Sequence, residues 1–376
     1  MKQPGMNTLC VHSAHSPDTS TGAVAQPIYL TTTFERDADG EYPRGFRYSR
    51  EGTPNRSALE ACMAALEGGV GAVAFASGLA TNMAVLDLLG AGELLVAPRE
   101  AYYGTLRQFS DHAARRGAQV ALANFSDTAA VRAAGGGRAR LVWMETPTNP
   151  MLGITDIKAV TAIGHEAGAL VVCDNTFATP ICQRPFDFGA DIVVHSGTKF
   201  LGGHSDVLSG VLIVREDEAL LERLRDWQRS TGATLGPFDA WLLRRSIATL
   251  ALRVRAQCHG AQRLAEFLAG HAAIEQVFYP GLPQHPGHAV AAAQMPGGFG
   301  GILSIGVVGG REAALRTASR TRLFTRATSL GSVGSLIEHR ASIEGPASRT
   351  PQNLLRLSVG IEEPEDLIQD LAQALG

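Results

Sequence analysis

The sequence predicts an α/β protein, built on a mostly parallel central sheet with a smaller α/β unit toward its C-terminal side. Three observations predict it. Short continuous runs of apolar residues recur through the first two thirds of the chain: GAVAFASG, ELLVAP, RLVWMET, ALVVCDN, DIVVHSG and VLSGVLIV. Segments with helical spacing lie between several of them, among them LATNMAVLDLL, YGTLRQFSDHAARRG and TDIKAVTAIGHEAG. Strands without polar alternation, joined by helices, describe a sheet covered on both faces. Third, the pattern changes after Pro237, where a long helical stretch leads to two further strand-like runs.

Taken in order, residues 1–55 are rich in Pro, Thr and Arg and show no long periodic element, as expected of an extended arm that packs on something larger. From Ser57, SALEACMAALEGG has a polar start, helix formers and a glycine stop, so it reads as a compact helix. The alternating strands and helices then define a unit over 56–235. From Pro237, FDAWLLRRSIATLALRVRAQCHGAQRLAEFLAG reads as one long amphipathic helix whose Trp and Leu serve packing. GFGGILSIGVV and NLLRLSVGI read as strands, REAALRTASR and PEDLIQDLAQAL as helices, completing a C-terminal α/β unit within 236–376.

Composition narrows the function. With 376 residues, 45% of them hydrophobic, the chain can bury a large core. The net charge of −3, from 33 basic and 36 acidic residues, leaves no footprint for nucleic acid or an anionic membrane. No apolar run approaches the length of a membrane helix, and the N-terminus lacks a signal-like apolar stretch. Cys10, Cys62, Cys173, Cys182 and Cys258 are odd in number and widely spaced, which suits isolated thiols in a reducing cytoplasm and supplies no metal-ligand spacing.

Two ionisable residues follow apolar runs: Asp174 in LVVCDNT and Lys199 in DIVVHSGTKFLGGHSD. A lysine amine and a carboxylate are what pyridoxal phosphate needs from a protein, the first to form a Schiff base with its aldehyde, the second to keep its pyridine nitrogen protonated. Each alone is as readily a solvated surface group or a turn residue. In FASGLATN, Ser77 and Gly78 stand between a strand and a helix, where backbone N–H groups can meet an anion, or where Ser77 is an ordinary N-cap. The glycine spacing is not that of a dinucleotide fingerprint, and Gly202 and Gly203 follow Lys199 rather than precede it as in a P-loop. Ser196 and Thr198 add hydroxyls beside Lys199, suited to a phosphate or to turn and cap bonds.

Tyr102, in EAYYGTL, can stack on a planar ring and move a proton, or fill a core, with Tyr103 as its neighbour. Asn149, in METPTNP, can orient the cofactor or simply make a turn. Arg356 interrupts the apolar LLRLSVGI and must meet a carboxylate, from an amino-acid substrate or from within the chain. Tyr48 and Arg50 put a phenol and a guanidinium in the arm, where they fit the phosphate of another subunit or plain exposure. His204 reads as a solvated loop residue.

These segments resemble the pyridoxal-phosphate-dependent enzymes of cysteine and methionine metabolism, a group holding cystathionine gamma-synthases, cystathionine lyases, methionine gamma-lyases and homoserine-ester sulfhydrylases. The resemblance runs in order through TGAVAQPIYLTTTF, YSREGTPN, ALEGGVGAVAFASGLA, YYGTLRQF, METPTNP, VVCDNTFATP, DIVVHSGTKFLGGHSDVLSG, GPFDAWLLRR, FGGILS and LLRLSVGIEEPEDLI. It implies a PLP-dependent transferase of fold type I and a homotetramer made of dimers that share active sites through their arms. By matched position it implies that Lys199 carries the cofactor, Asp174 contacts the pyridine nitrogen and Tyr102 stacks on the ring. Ser77, Gly78, Leu79, Ser196 and Thr198 would surround the phosphate, with Tyr48 and Arg50 reaching it across the interface. Asn149, Ser329 and Arg356 match positions tied to cofactor orientation and substrate carboxylate binding.

The chain departs from the family pattern at Gly52-Thr53-Pro54-Asn55, where the polar pair is exchanged, and at Arg99-Glu100 in place of His-Asp. Tyr103 replaces a glycine, Thr328 stands where a glutamate often precedes Ser329, and ASIEGPAS follows Arg340. The resemblance implies γ-elimination or γ-replacement on a sulfur amino acid or activated homoserine, with cystathionine gamma-synthase or gamma-lyase favoured and sulfhydrylase, methionine gamma-lyase and cystathionine beta-lyase as alternatives. Aminotransfer and a non-catalytic sensor or scaffold on the same fold are the readings from other classes.

Overall fold

The computed structural model describes residues 4–345 and 349–376. A short helix, α1 (Met6–His12), opens an otherwise irregular arm that leads to α2 (Pro54–Glu67). That second helix starts before Ser57, because Thr53 caps it by accepting from the Arg56 N–H at 3.2 Å and Pro54 occupies the first turn, where a missing N–H costs nothing. Asn55 fastens the arm, accepting from the Tyr29 N–H at 2.9 Å and donating to the Pro27 carbonyl at 2.8 Å. The exchanged polar pair thus has a cap and a clamp as its structural roles.

The expected alternation follows: β1 (Gly71–Phe75), α3 (Gly78–Leu86), β2 (Leu94–Pro98), α4 (Tyr103–Arg116), β3 (Gln119–Ala123), α5 (Thr128–Gly135), β4 (Ala139–Glu145), α6 (Ile157–Glu166), β5 (Leu170–Asp174), α7 (Thr179–Cys182), β6 (Ile192–Ser196), β7 (Gly210–Val214) and α8 (Glu218–Thr231). The seven strands form one sheet in the order β1-β7-β6-β5-β4-β2-β3. From β6 through β3 all pairings are parallel, while β7 runs antiparallel to both β6 and β1. Side chains of β4 divide by parity, Val142 and Met144 joining one core and Leu141 and Trp143 the other, so both faces are covered. Strand β3 and α5 escaped the sequence reading because β3 is a half-exposed edge with a weak apolar signal.

The long helix expected from Pro237 is two, α9 (Pro237–Ile247) and α10 (Leu250–Ala269). At the break, Ala248 and Thr249 donate to carbonyls three residues back, and the Ser246 carbonyl also accepts from the Arg253 guanidinium at 2.9 Å. Diverted carbonyls of this kind interrupt a helical ladder without proline. Beyond α10 lie β8 (Ile274–Phe278), α11 (His288–Gln294), β9 (Ile302–Val307), α12 (Gly310–Arg320), β10 (Thr325–Arg326), β11 (Leu336–His339), α13 (Arg340–Glu344), β12 (Leu354–Ser358) and α14 (Pro364–Leu375). Their five strands make a second sheet, ordered β10-β11-β12-β9-β8 and antiparallel except for β10 with β11. All five cysteines are buried and free, and the spacing in sequence hides that the Cys182 and Cys258 sulfurs lie 3.6 Å apart.

Candidate active site

The parallel strands of the first sheet deliver their C-terminal ends to one edge, the usual location of a site in open α/β sheets. There β4 ends on Glu145, β5 on Asp174 and β6 on Ser196, with Asp174 in register beside Glu145. Opposite them, β12 of the second sheet brings Arg356, and the loop before β11 brings Thr328 and Ser329. Together they line a cavity of about 340 Å³ with Ser77, Gly78, Leu79, Tyr102, Asn149, Thr198 and Lys199. Eleven of the thirteen site residues expected from sequence therefore meet in one place.

Lys199 sits in the loop between β6 and β7, and its Nζ donates to Ser329 Oγ at 2.8 Å. Burial, assisted by the nearby Arg356 cation, lowers its ammonium to about 8. Arg253 braces the loop by donating to the Phe200 carbonyl at 2.7 Å. Asp174 accepts from the Thr176 N–H at 3.0 Å, and burial pushes its carboxyl up despite that bond. Glu145 is pushed well up by burial and then by Asp174. Its carboxylate accepts from the backbone N–H groups of Tyr102 and Asn149, both at 3.0 Å, fixing the two residues to one anchor. The Tyr102 phenol is raised by burial and by Tyr103, whose ring packs edge-on at a centroid distance of 4.9 Å.

At the other end, Ser77 caps α3 by accepting from the Ala80 N–H at 3.2 Å, so the ordinary cap reading holds for its hydroxyl. The first-turn N–H groups of Gly78 and Leu79 have no intramolecular acceptor among the described residues. A Cβ added at Gly78 would lie 3.0 Å from Ser196 Cβ, so glycine lets the helix end approach Ser196 without displacing it. Thr198 Oγ1 is engaged locally, donating to the Ser209 carbonyl and accepting from the Ser209 N–H. Unbonded amides at a helix N-terminus, a lysine amine and a buried carboxylate in one cavity fit the phosphate, aldehyde and ring nitrogen of pyridoxal phosphate.

Arg356 meets a carboxylate within the chain: Glu338 on β11 accepts from its Nη2 at 2.5 Å. Nη1 donates to Asn149 Oδ1 at 3.0 Å, and Nη2 also donates to the Ser329 carbonyl at 2.9 Å. Burial lowers the guanidinium to about 10. Tyr48 and Arg50 are not at the cavity of their own chain; Tyr48 is exposed, and Arg50 donates to the Arg229 carbonyl at 3.0 Å. His204 is exposed, and its Nδ1 donates to the Gly202 carbonyl at 2.8 Å.

Sequence reasoning passed over Glu145, Thr176, Glu338 and Arg340. Glu145 lies inside the METPTNP segment already singled out, and Glu338 interrupts an apolar strand as Arg356 does, so the signal was present for both. Arg340 lines the same cavity. Glu100, from the Arg99-Glu100 departure, accepts from Thr148 Oγ1 and the Met151 N–H, each at 2.7 Å, and so braces the loop carrying Asn149.

A family model described as Cys/Met metabolism PLP-dependent enzyme matches residues 7–376. The chain belongs to that family. This member of the Cys/Met metabolism PLP-dependent enzymes is 47% identical to a cystathionine gamma-synthase of Mycobacterium tuberculosis, over 99% of this chain and 97% of the relative. It is 40% identical to a cystathionine beta-lyase of Coxiella burnetii, over 100% of this chain and 98% of the relative. Among solved structures, metB from Corynebacterium glutamicum superposes with a TM-score of 0.96 at 41% identity, covering 99% of this chain and 98% of that one. Apo CalE6, a methionine gamma lyase from Micromonospora echinospora, gives 0.94 at 41% identity with full coverage of both. The family is that of fold-type I enzymes, and its cofactor is pyridoxal phosphate.

Proposed function

We propose that this enzyme catalyses transsulfuration by γ-replacement, joining the thiol of cysteine to an activated homoserine as a cystathionine gamma-synthase does. The observation that carries the reading is the single cavity holding Lys199 and Asp174 from one sheet and Arg356 from the other. It supplies a nucleophilic amine, a partner for a ring nitrogen and an anchor for an amino-acid carboxylate. The greater identity to cystathionine gamma-synthase than to cystathionine beta-lyase supports replacement at the γ carbon.

Pyridoxal phosphate, when bound, supplies an aldehyde that condenses with amines and a ring that accepts the electrons of a broken Cα–H bond. The N–H groups of Gly78 and Leu79, with Ser196 Oγ, would hold its phosphate; Asp174 would keep the ring nitrogen protonated, and Tyr102 and Asn149 would position the ring. Arg356 holds the α-carboxylate of the substrate, with Ser329 beside it. Lys199 Nζ removes the α proton and then moves a proton at the β carbon. Tyr102, freed by burial from ready ionisation, assists the departing γ group. The Cγ–O bond breaks with its electrons on the leaving acyl oxygen, a Cγ–S bond forms, and the thiol proton passes to solvent.

The arm extends the reading to assembly. Val24, Leu30 and Tyr48 are exposed hydrophobic residues along it, a surface that a neighbouring subunit would cover. In this reading Tyr48 and Arg50 reach the phosphate of a partner within a homotetramer of dimers, in the cytoplasm. Among the described residues no helix is long and apolar enough to cross a membrane. The test is a product assay of acetylated and succinylated homoserine with and without cysteine, beside cystathionine and methionine alone. Thiol-dependent cystathionine formation is expected. Release of 2-oxobutyrate from cystathionine without synthesis would replace this reading with a lyase. Lys199→Ala is expected to remove the protein-linked cofactor absorbance and nearly all turnover.

A further inference from the structure

Tyr103, a departure from the family pattern, meets in space the residue that immediately precedes another, Arg340. The Arg340 guanidinium lies 5.5 Å from the centroid of the Tyr103 ring, although the residues are far apart in sequence. Arg340 is 2% exposed and lines the cavity that holds Lys199. Its Nη1 donates to Glu338 Oε2 at 3.1 Å, the same oxygen that accepts from Arg356 Nη2 at 2.5 Å. Its Nη2 donates to Glu344 Oε1 at 2.9 Å, and Glu344 Oε2 accepts from Thr350 Oγ1 at 2.7 Å. One buried carboxylate is therefore divided between two guanidiniums, and a second carboxylate holds the outer guanidinium in place.

Charge decides what this does. A Glu338 paired with Arg356 alone would cancel the cation meant for a substrate anion, and at low effective dielectric that cancellation is strong. A second cation on the same oxygen draws the carboxylate's field toward itself and returns part of the positive charge of Arg356 to the cavity. The planar fork of arginine suits this, because it spans Glu338 and Glu344 while lying over the Tyr103 ring. We propose that Arg340 is a positioning residue for substrate: by sharing Glu338, it leaves Arg356 able to bind the α-carboxylate of the amino acid. The proposal rests on the reading of Arg356 given above and deepens it.

The experiment uses the cofactor-loaded enzyme. Affinity for a substrate carboxylate is read as KM for the acylated homoserine, and independently as the dissociation constant of L-norvaline, followed by the cofactor's absorbance. Arg340→Gln keeps a donor to Glu338 without the charge, and is expected to raise both constants roughly tenfold while kcat falls less. In a Glu338→Gln background the same change is expected to have a clearly smaller effect, since of the two carboxylates Arg340 pairs with only Glu344 then remains charged. Arg340→Lys, which restores the charge, is expected to return both constants to within about threefold of the parent. Unchanged constants in Arg340→Gln, an equal loss in both backgrounds, or a lysine no better than glutamine would each overturn the proposal. Failure of the underlying reading looks different: Arg356→Ala would then leave KM and norvaline binding as they are.

Discussion

Removing the cofactor and returning it at controlled pH would measure the ionisation of Lys199. Only the free amine attacks an aldehyde, so the rate of capture follows the unprotonated fraction. Burial, with Arg356 as the next cause, lowers the ammonium from an ordinary 10.5 to about 8. At about pH 7.5 roughly a quarter of the lysine is then free, against about one part in a thousand at the ordinary value. The capture rate, followed by stopped-flow absorbance, should rise through a midpoint near 8 and level off about one unit above it. Stability carries the same sign: between about 8 and 10.5 the unfolded chain holds a proton that the folded chain has released, so this group favours folding increasingly as pH rises through that window. Arg356→Ala removes a neighbouring cation and should move the midpoint upward. A wild-type rate still climbing about tenfold per unit at pH 9.5 would refute a depressed lysine and the role of burial in it.

Three further outcomes follow from geometry. Glu145→Ala leaves the Tyr102 and Asn149 N–H groups without their acceptor, and urea unfolding should show a loss on the order of 2 kcal/mol. Trp143→Ala empties a fully buried site beside Phe109, whose ring centroid is 5.4 Å away, and should cost about 3–5 kcal/mol in the same assay. Gly331 has φ +79°, and a Cβ there would lie 2.6 Å from the Phe200 nitrogen and 3.0 Å from the Lys199 carbonyl carbon. Gly331→Ala should therefore displace the lysine loop and lower kcat on the order of tenfold, with wild-type turnover as the contrary result.

The parallel sheet was legible because its strands are apolar on both faces, and β4, β5 and β6 stand out as unbroken runs. Edge elements were not: β3 and β8 are partly exposed, and their composition resembles that of the loops around them. The break between α9 and α10 is invisible to periodicity because it is made by a side-chain bond, the Arg253 guanidinium taking the Ser246 carbonyl. At the site, Lys199, Asp174 and Arg356 were readable as charges set against apolar strands. Glu145 and Glu338 carry the same signature but bind protein groups, which no spacing rule distinguishes from binding a ligand. Thr198 shows the reverse: its hydroxyl stands beside Lys199 in sequence and is taken by Ser209.

The cavity takes Lys199 from the loop after β6 of the first sheet and Arg356, the proposed carboxylate anchor, from β12 of the second. During synthesis the residues proposed to grip the cofactor, from Ser77 to Lys199, are all made long before Arg356 leaves the ribosome. A chain cut short of β12 would thus retain its vitamin-binding groups while lacking the means to hold an amino acid.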